Sequence, residues 1–300
     1  MGDDVRIGLQ LNHTILELGV GSGIDPALYE YGEVLCDAFA APLDSGYVID
    51  PATRPLLDEL ASAHKLLAHG NYGAEFGFEP LDETPCLKRH LAIVRETKSP
   101  YYSDHLFFGF QAGSYMWSSP LPFSRAEVER VAGRAAAVQD RIKLPLLHEN
   151  AFYYAQMPGG DMPEAEFIAA LVDKAQTHLL LDLHNIYANS VNFEGYDVWS
   201  FLRTIPLDRV LQIHIAGGQH AENWYHDSHC NSVPPPVWEM LAYVLPRAPN
   251  LKAIVLEVQG PAHNHTTRPV DDTWPAMINE DLRRARAVLD ETRQATASVG

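Results

Sequence analysis

The sequence predicts a (β/α)8 barrel of the TIM type, on two observations. Eight short β-type runs alternate with helical patterns along 300 residues, the alternation expected of a parallel sheet wound with helices. From the third run onward, each run ends in a side chain able to bind a metal, which is where barrel enzymes place their chemistry. No internal repeat, low-complexity tract or linker interrupts the pattern, so residues 1–300 read as one domain with a C-terminal helix over about 274–296.

Arg6 to Leu11 (RIGLQL) reads as the first strand, and Val48 to Asp50 closes a weaker second candidate. Lys65 to His69, Tyr101 to Phe108, Leu144 to Glu149, His178 to Asp182, Val210 to Ile215 and Lys252 to Val258 supply strands three to eight. Most are short and nearly continuously apolar, as befits strands buried on both faces. A capping box, Ser124-Arg125-Ala126-Glu127, opens an amphipathic helix that runs to about Lys143. Asp161-Met162-Pro163-Glu164 opens another, with proline tolerated in its first turn. Asp197 to Ile205, Pro236 to Leu245 and Trp274 to Leu289 complete the helices. An open doubly wound sheet is the alternative architecture.

Composition narrows the function. A net charge of −17, from 39 acidic against 22 basic residues, repels a nucleic-acid backbone, so no nucleic-acid partner is expected. No stretch approaches ~18 consecutive apolar residues, so no membrane span is expected. The start, Met1-Gly2-Asp3-Asp4, lacks the basic and apolar regions of a secretory signal, and a cytoplasmic location is the default. Three widely spaced cysteines form neither a zinc pattern nor a disulfide framework. The 14 histidines are the unusual count.

Those histidines fall at strand ends together with acids. His69 ends strand three; strand four carries Asp104 and His105; strand five ends in His148-Glu149-Asn150; strand six ends in Asp182, followed by His184 and Asn185. Strand seven carries His214, strand eight Glu257, and the loop after strand seven Asp227 and His229. A charge in a buried strand is costly unless it is paired or bound to a metal, and repetition of the pattern argues for metal. Histidine and carboxylate without cysteine suit iron, manganese or zinc. The candidates outnumber the ligands of one ion, so two or three ions are expected.

The motifs themselves resemble a known family. Leu179-Leu180-Leu181-Asp182-Leu183-His184-Asn185-Ile186-Tyr187 is similar to the LLLDxNNxYV block of the multinuclear non-haem iron-dependent oxidative enzymes. Ser103-Asp104-His105-Leu106 resembles their S[ED]HL, Leu147-His148-Glu149-Asn150 their LLEN, and Gln212 to Gly217 the segment around IHLAGH. Asp227-Ser228-His229 resembles their DTH and Leu256-Glu257 the start of LIEWD, so the likeness spans about residues 65–260. It implies a xylose-isomerase-like TIM barrel. It also implies His69, His105 and Glu149 on one iron; Glu149, Asp182, His214 and Glu257 on a second; and Asn185, Asp227 and His229 on a third. Glu149, Asp182 and His214 would be catalytic, with Asp104 and Asn150 orienting ligand or substrate. Three departures stand out: His184 in place of Asn, Gly218 in place of the second His of IHLAGH, and Val258-Gln259 in place of Trp-Asp. His184 is a candidate extra ligand, neighbour of a ligand or proton-transfer group.

The resemblance further implies two or three Fe(II)/Fe(III) ions, dioxygen as co-substrate, and oxidation of a ribosomally synthesised precursor peptide at a cysteine or a C-terminal residue. A small peptide-recognition protein is a candidate partner, since nothing after Pro261 reads as a recognition domain. The rival readings are a divalent-metal sugar isomerase or epimerase, a metal-dependent phosphoesterase and a non-catalytic metal-binding protein. Lysines at strand ends are too scarce for the usual isomerase chemistry, and the acidic balance opposes a DNA substrate.

Overall fold

The computed structural model describes residues 5–11, 15, 23–36, 54–70, 76–78, 80–81, 85–108, 110–111, 114–115, 119–259 and 271–298. Eight parallel strands are β1 (Arg6–Leu11), β2 (Tyr31–Leu35), β3 (Lys65–His69), β4 (Tyr102–His105), β5 (Leu146–Glu149), β6 (His178–Asp182), β7 (Val210–Ile215) and β8 (Ala253–Leu256). They close into a barrel in the order β1-β8-β7-β6-β5-β4-β3-β2, each strand beside its neighbours in the chain. The helices are α1 (Arg54–Ala63), α2 (Pro85–Thr97), α3 (Arg125–Ile142), α4 (Glu164–Ala175), α5 (Leu183–Asn192), α6 (Val198–Thr204), α7 (Pro235–Val244) and α8 (Trp274–Ala297).

The barrel is the fold the sequence predicts, with one strand displaced. The second strand is Tyr31–Leu35, whereas the expected Val48 to Asp50 lies outside the described residues. The fourth strand stops at His105 instead of running to Phe108; Phe107 instead bridges to Pro120. Pro163 sits at the N-cap of α4, one position before the first turn.

The chain divides into two compact units. One comprises residues 33–180 and 199–206, and the other residues 1–32, 181–198 and 207–300. In the first, parallel register sets Ala68 beside Tyr102 and His69 beside Ser103. The next pair sets Ser103 beside Leu147 and His105 beside Glu149. Side chains alternate between strand faces, so this register brings His69, Ser103, His105 and Glu149 to one side at the strand ends. Ser124 caps α3, accepting the Glu127 N–H at 3.2 Å, and Lys143 ends it with φ 57°, the left-handed stop common at helix C-termini.

In the second unit, β1 pairs with β8 and β8 with β7, which sets Val255 beside both Gly8 and His214. Helix α8 buries Trp274, Ile278, Leu282, Ala285 and Leu289 completely. Their spacing of three and four residues makes one apolar stripe, and each large side chain contributes about 1.5–3 kcal/mol by leaving water. Asp281 is buried beside that stripe and accepts the Val233 N–H at 3.1 Å. Burial pushes its carboxyl up to about 7, against the lowering pull of that hydrogen bond and of Arg284.

Candidate metal centres

The first unit holds a cluster at the ends of three strands. Nitrogen atoms of His69 and His105 and an oxygen of Glu149 lie within 4.8 Å of one another. Both imidazoles aim Nε2 at the same oxygen: His69 Nε2 and His105 Nε2 each stand 3.2 Å from Glu149 Oε2. The rings are tilted at 48° with centroids 4.9 Å apart. Their other nitrogens are anchored. His105 Nδ1 donates to the Gly70 carbonyl at 3.2 Å, and His69 Nδ1 lies 2.9 Å from the Ser103 hydroxyl. A His105 proton committed to Nδ1 leaves the Nε2 lone pair facing the carboxylate, the tautomer a metal requires. His69 and Glu149 are buried, and His105 keeps 14% of its side chain exposed, which leaves the cluster an open side.

Glu33 joins this unit's cluster from β2. It is fully buried, and one of its oxygens lies within 4.8 Å of a His69 nitrogen. The sequence reading passed over it, although an acid inside an otherwise strand-like run, YGEVL, is the same signal that marked the other candidates.

Asp104 stands on the opposite face of β4. Its Oδ2 accepts the Tyr102 hydroxyl at 3.2 Å, and that hydroxyl lies 2.7 Å from His90 Nδ1 on α2. Its Oδ1 accepts the His105 N–H at 2.8 Å, so it braces the backbone that carries His105. Gly70 makes room for this brace, since a Cβ there would meet Tyr102 Oη and come within 2.7 Å of the Asp104 carboxyl carbon. His148 also faces away from Glu149, edge-on to Phe76 at 5.2 Å. Burial, then the nearby His178, lowers it to about 3, so it is neutral. Asn150 is buried and lines a small cavity with Leu106, Phe123, Tyr153 and Glu164. There the Tyr153 hydroxyl donates to Glu164 at 3.0 Å.

The second unit holds a larger cluster, drawn from strand ends and from the loop that carries Asp227 and His229. Asp182 ends β6 and caps α5, its Oδ1 accepting the Asn185 N–H at 2.7 Å; this cap fixes the first turn that carries His184 and Asn185. His214 Nδ1 lies 3.3 Å from Glu257 Oε2 and 4.0 Å from Asp182 Oδ2. Its Nε2 is 2.8 Å from the Gln212 amide, while the Gln10 amide donates to Glu257 Oε1. Gln10 and Gln212 are polar residues inside strands that the sequence reading left unremarked.

Asp227 and His229 complete this cluster. His229 Nε2 lies 2.5 Å and His184 Nδ1 2.8 Å from Asp227 Oδ1. His229 has φ 49°, an uncommon conformation for a residue other than glycine, and its carbonyl accepts the Gln259 N–H at 2.9 Å. Burial lowers the His229 basicity, but Asp227 and Glu257 more than reverse that and push it up to about 9. Burial opposes the Asp227 charge, yet His229 and His184 hold its carboxyl well below the ordinary range. Of the other histidines, His220 is exposed and His226 Nε2 bonds the Ala221 carbonyl at 3.0 Å. His13, His263 and His265 lie outside the described residues.

Each cluster therefore joins imidazole to buried carboxylate, a donor set that fits a borderline divalent ion. Buried charges so close to one another are stable only when paired or metal-bound. Fold and site together define a parallel barrel whose buried side-chain clusters are able to hold metal ions. A family model described as RiPP precursor modification enzyme MbnB/TglH/ChrH, which concerns ribosomally synthesised and post-translationally modified peptides, matches residues 24–267. The chain belongs to that family.

Relatives agree. A UPF0276 protein of Pseudomonas aeruginosa is 33% identical over 79% of this chain and 79% of its own length. A UPF0276 protein of Shewanella loihica is 38% identical over 61% of this chain; the match spans 66% of that protein, just under two thirds. Among solved structures, a xylose isomerase domain protein from Salmonella typhimurium matches with a TM-score of 0.61 at 13% identity, over 96% of this chain and 99% of that one. A D-allulose 3-epimerase from Methylomonas matches at 0.58 and 15% identity, over 98% of each chain. Endonuclease IV from Thermus thermophilus matches at 0.55 and 21% identity, over 95% of this chain and 99% of that one. At such identities the likeness is one of fold: the xylose-isomerase-like TIM barrel. Among the described residues, no helix is long and apolar enough to cross a membrane.

Proposed function

We propose that this chain is a multinuclear non-haem iron enzyme that uses dioxygen to oxidise a ribosomally synthesised precursor peptide, at a cysteine or a C-terminal residue. One observation carries the reading: in a chain of the RiPP precursor-modification family, buried imidazoles and carboxylates converge at the strand ends within 4.8 Å of one another. His69, His105 and Glu149 would hold one ion, Asp182, His214 and Glu257 a second, and Asn185, Asp227 and His229 a third. Bound iron supplies one-electron chemistry with dioxygen and binds thiolate sulfur.

The chain's own residues do the rest. The Gly70 carbonyl and Ser103 hydroxyl hold the two imidazoles of the strand-end cluster in orientation. Gln10 and Gln212 do the same for Glu257 and His214. Such partners orient ligands and tune their basicity. Asp104 acts through His105 as a positioning residue, and Asn150, next to Glu149 in the chain, would act as a residue that orients ligand or substrate. The substrate would be presented alone or with a small recognition protein, in the cytoplasm where precursor peptides are made.

The test is to load the purified protein with iron and add a thiol-containing peptide, dioxygen and reductant. A change in visible absorption on adding peptide, followed by a mass change in the peptide, is the expected result. Protein that takes up only zinc or magnesium and is inert under these conditions would overturn the reading.

A further inference from the structure

We propose that His184 is itself a metal ligand beside Asp227 and His229, making a two-histidine, one-carboxylate set, with Tyr225 and Gly218 as positioning residues. The proposal rests on the reading above that the loop-borne cluster holds an ion. Asn185 is the amide that reading already places there; His184 adds an imidazole to it.

The geometry is that of converging donors. His184 is fully buried, and its ligand atom lies within 4.8 Å of those of Asp227 and His229. Two imidazole nitrogens, His184 Nδ1 and His229 Nε2, approach the single oxygen Asp227 Oδ1 at 2.8 and 2.5 Å. Their rings are nearly perpendicular, at 77°, with centroids 5.7 Å apart. Each approach places a proton between nitrogen and oxygen, and a divalent ion replaces such protons with one centre of charge. Two histidines and one carboxylate, with positions left open, are the set that suits non-haem Fe(II).

His184 is also anchored from behind. Its Nε2 lies 3.3 Å from the Tyr225 hydroxyl, and that oxygen accepts the Gly218 N–H at 3.0 Å. With an ion in place of the Nδ1 proton, His184 would keep its other proton on Nε2, donated to Tyr225, and direct the Nδ1 lone pair at that ion. This is how ligating histidines are held: one nitrogen on the metal, the other donating to a fixed acceptor. The backbone is set as well, because the Asp182 cap orients the first turn of α5.

Gly218 supplies the room. A Cβ at that position would come within 3.1 Å of His184 Cε1 and 2.9 Å of Tyr225 Cε1, and would collide with the His226 carbonyl. The His226 carbonyl is the tightest limit at position 218, and the His184 imidazole on α5 narrows the same space further.

The test is to titrate the metal-free protein with Co(II) without oxygen, following stoichiometry, visible bands and the hyperfine-shifted imidazole N–H protons in 1H NMR. His184→Gln should weaken one cobalt per chain by about a hundredfold or more, against roughly ten- to a hundredfold for a group that only orients a ligand. It should also remove one shifted N–H signal, which an orienting role would leave in place. Tyr225→Phe should retain the number of bound ions and change the exchange rate of that same N–H. Asp227→Ala should abolish binding of that cobalt. If Asp227→Ala loses the ion while His184→Gln retains it with every shifted N–H, His184 is no ligand and the functional reading stands. If neither variant changes cobalt binding, both fall. Should His184→Gln fail to fold, the shorter His184→Asn, and the count of shifted N–H protons in the unaltered protein, decide the matter.

Discussion

The strand-end cluster of His69, His105 and Glu149 and the loop-borne cluster around Asp227 are built in different ways. In the first, strand register sets the positions, and each imidazole is anchored through Nδ1 by a neutral group, a serine hydroxyl or a glycine carbonyl. Nothing there needs a strained backbone. In the second, His229 sits at φ 49°, Asp227 lies in a loop, and one Asp227 oxygen ties both imidazoles together at 2.8 and 2.5 Å. The difference separates a site preformed by the barrel from one that depends on its charges. Rigid strands position ligands more precisely than loops do, and the loop site has the more to gain from an ion.

That contrast can be broken or sharpened by substitution, beginning with the largest effect. Glu149→Gln removes the charge on which both strand-end imidazoles converge. It should cost one bound ion, with affinity at that position falling about a thousandfold, and abolish peptide oxidation. Elemental analysis of the purified variant checks this. Asp227→Ala together with His229→Ala should also cost about one ion while leaving the strand-end ion in place. Hydrogen exchange across residues 219–231 should then quicken, and exchange in β4 and β5 should not. Equal loosening of both regions would show that the two clusters are not built as differently as argued. Ser103→Ala removes only an anchor, so the strand-end ion should weaken by roughly ten- to a hundredfold with its ligands unchanged.

These contrasts also mark what the sequence makes legible. His69, Glu149, Asp182 and His214 could be read because each closes or punctuates an apolar strand, where a charge has few innocent explanations. The second strand, Tyr31–Leu35, was hidden because Gly32 and Glu33 break its apolar run, although Glu33 does so by being part of a cluster. Gln10 falls in no motif, and Ser103 and Gln212 lie in matched segments that do not mark them as anchors; that role exists only once register places them beside His69, His214 and Glu257. Tyr225 comes from a hairpin formed by residues 219–221 and 224–226, and no periodicity announces it. The tilt of Asp104 away from the strand-end cluster follows from strand alternation, yet which face is which required the structure.

A last effect lies outside both clusters. Asp281 has a folded-state pKa of about 7 against an ordinary 3.8. Between those values the folded chain keeps a proton that the unfolded chain has released. The contribution of this group to stability is therefore fully present below about pH 4 and is lost as the pH rises toward 7. Asp281→Asn retains an acceptor for the Val233 N–H and removes the charge. Thermal melts should show a gain of up to about 4 kcal/mol at pH 8, vanishing near pH 4. Equal gains at both values would show that the buried carboxyl does not titrate as described.

The central claim is that these clusters hold iron for oxidative chemistry. Mössbauer spectra of protein loaded with 57Fe test it most directly, alongside iron content per chain. Two or three irons per chain, with separate high-spin ferrous and ferric signals and one component lost in Glu149→Gln, is the predicted result. Protein that binds no iron above a stoichiometric trace, or whose iron signal is unchanged by Glu149→Gln and by the Asp227 and His229 substitutions, would contradict it.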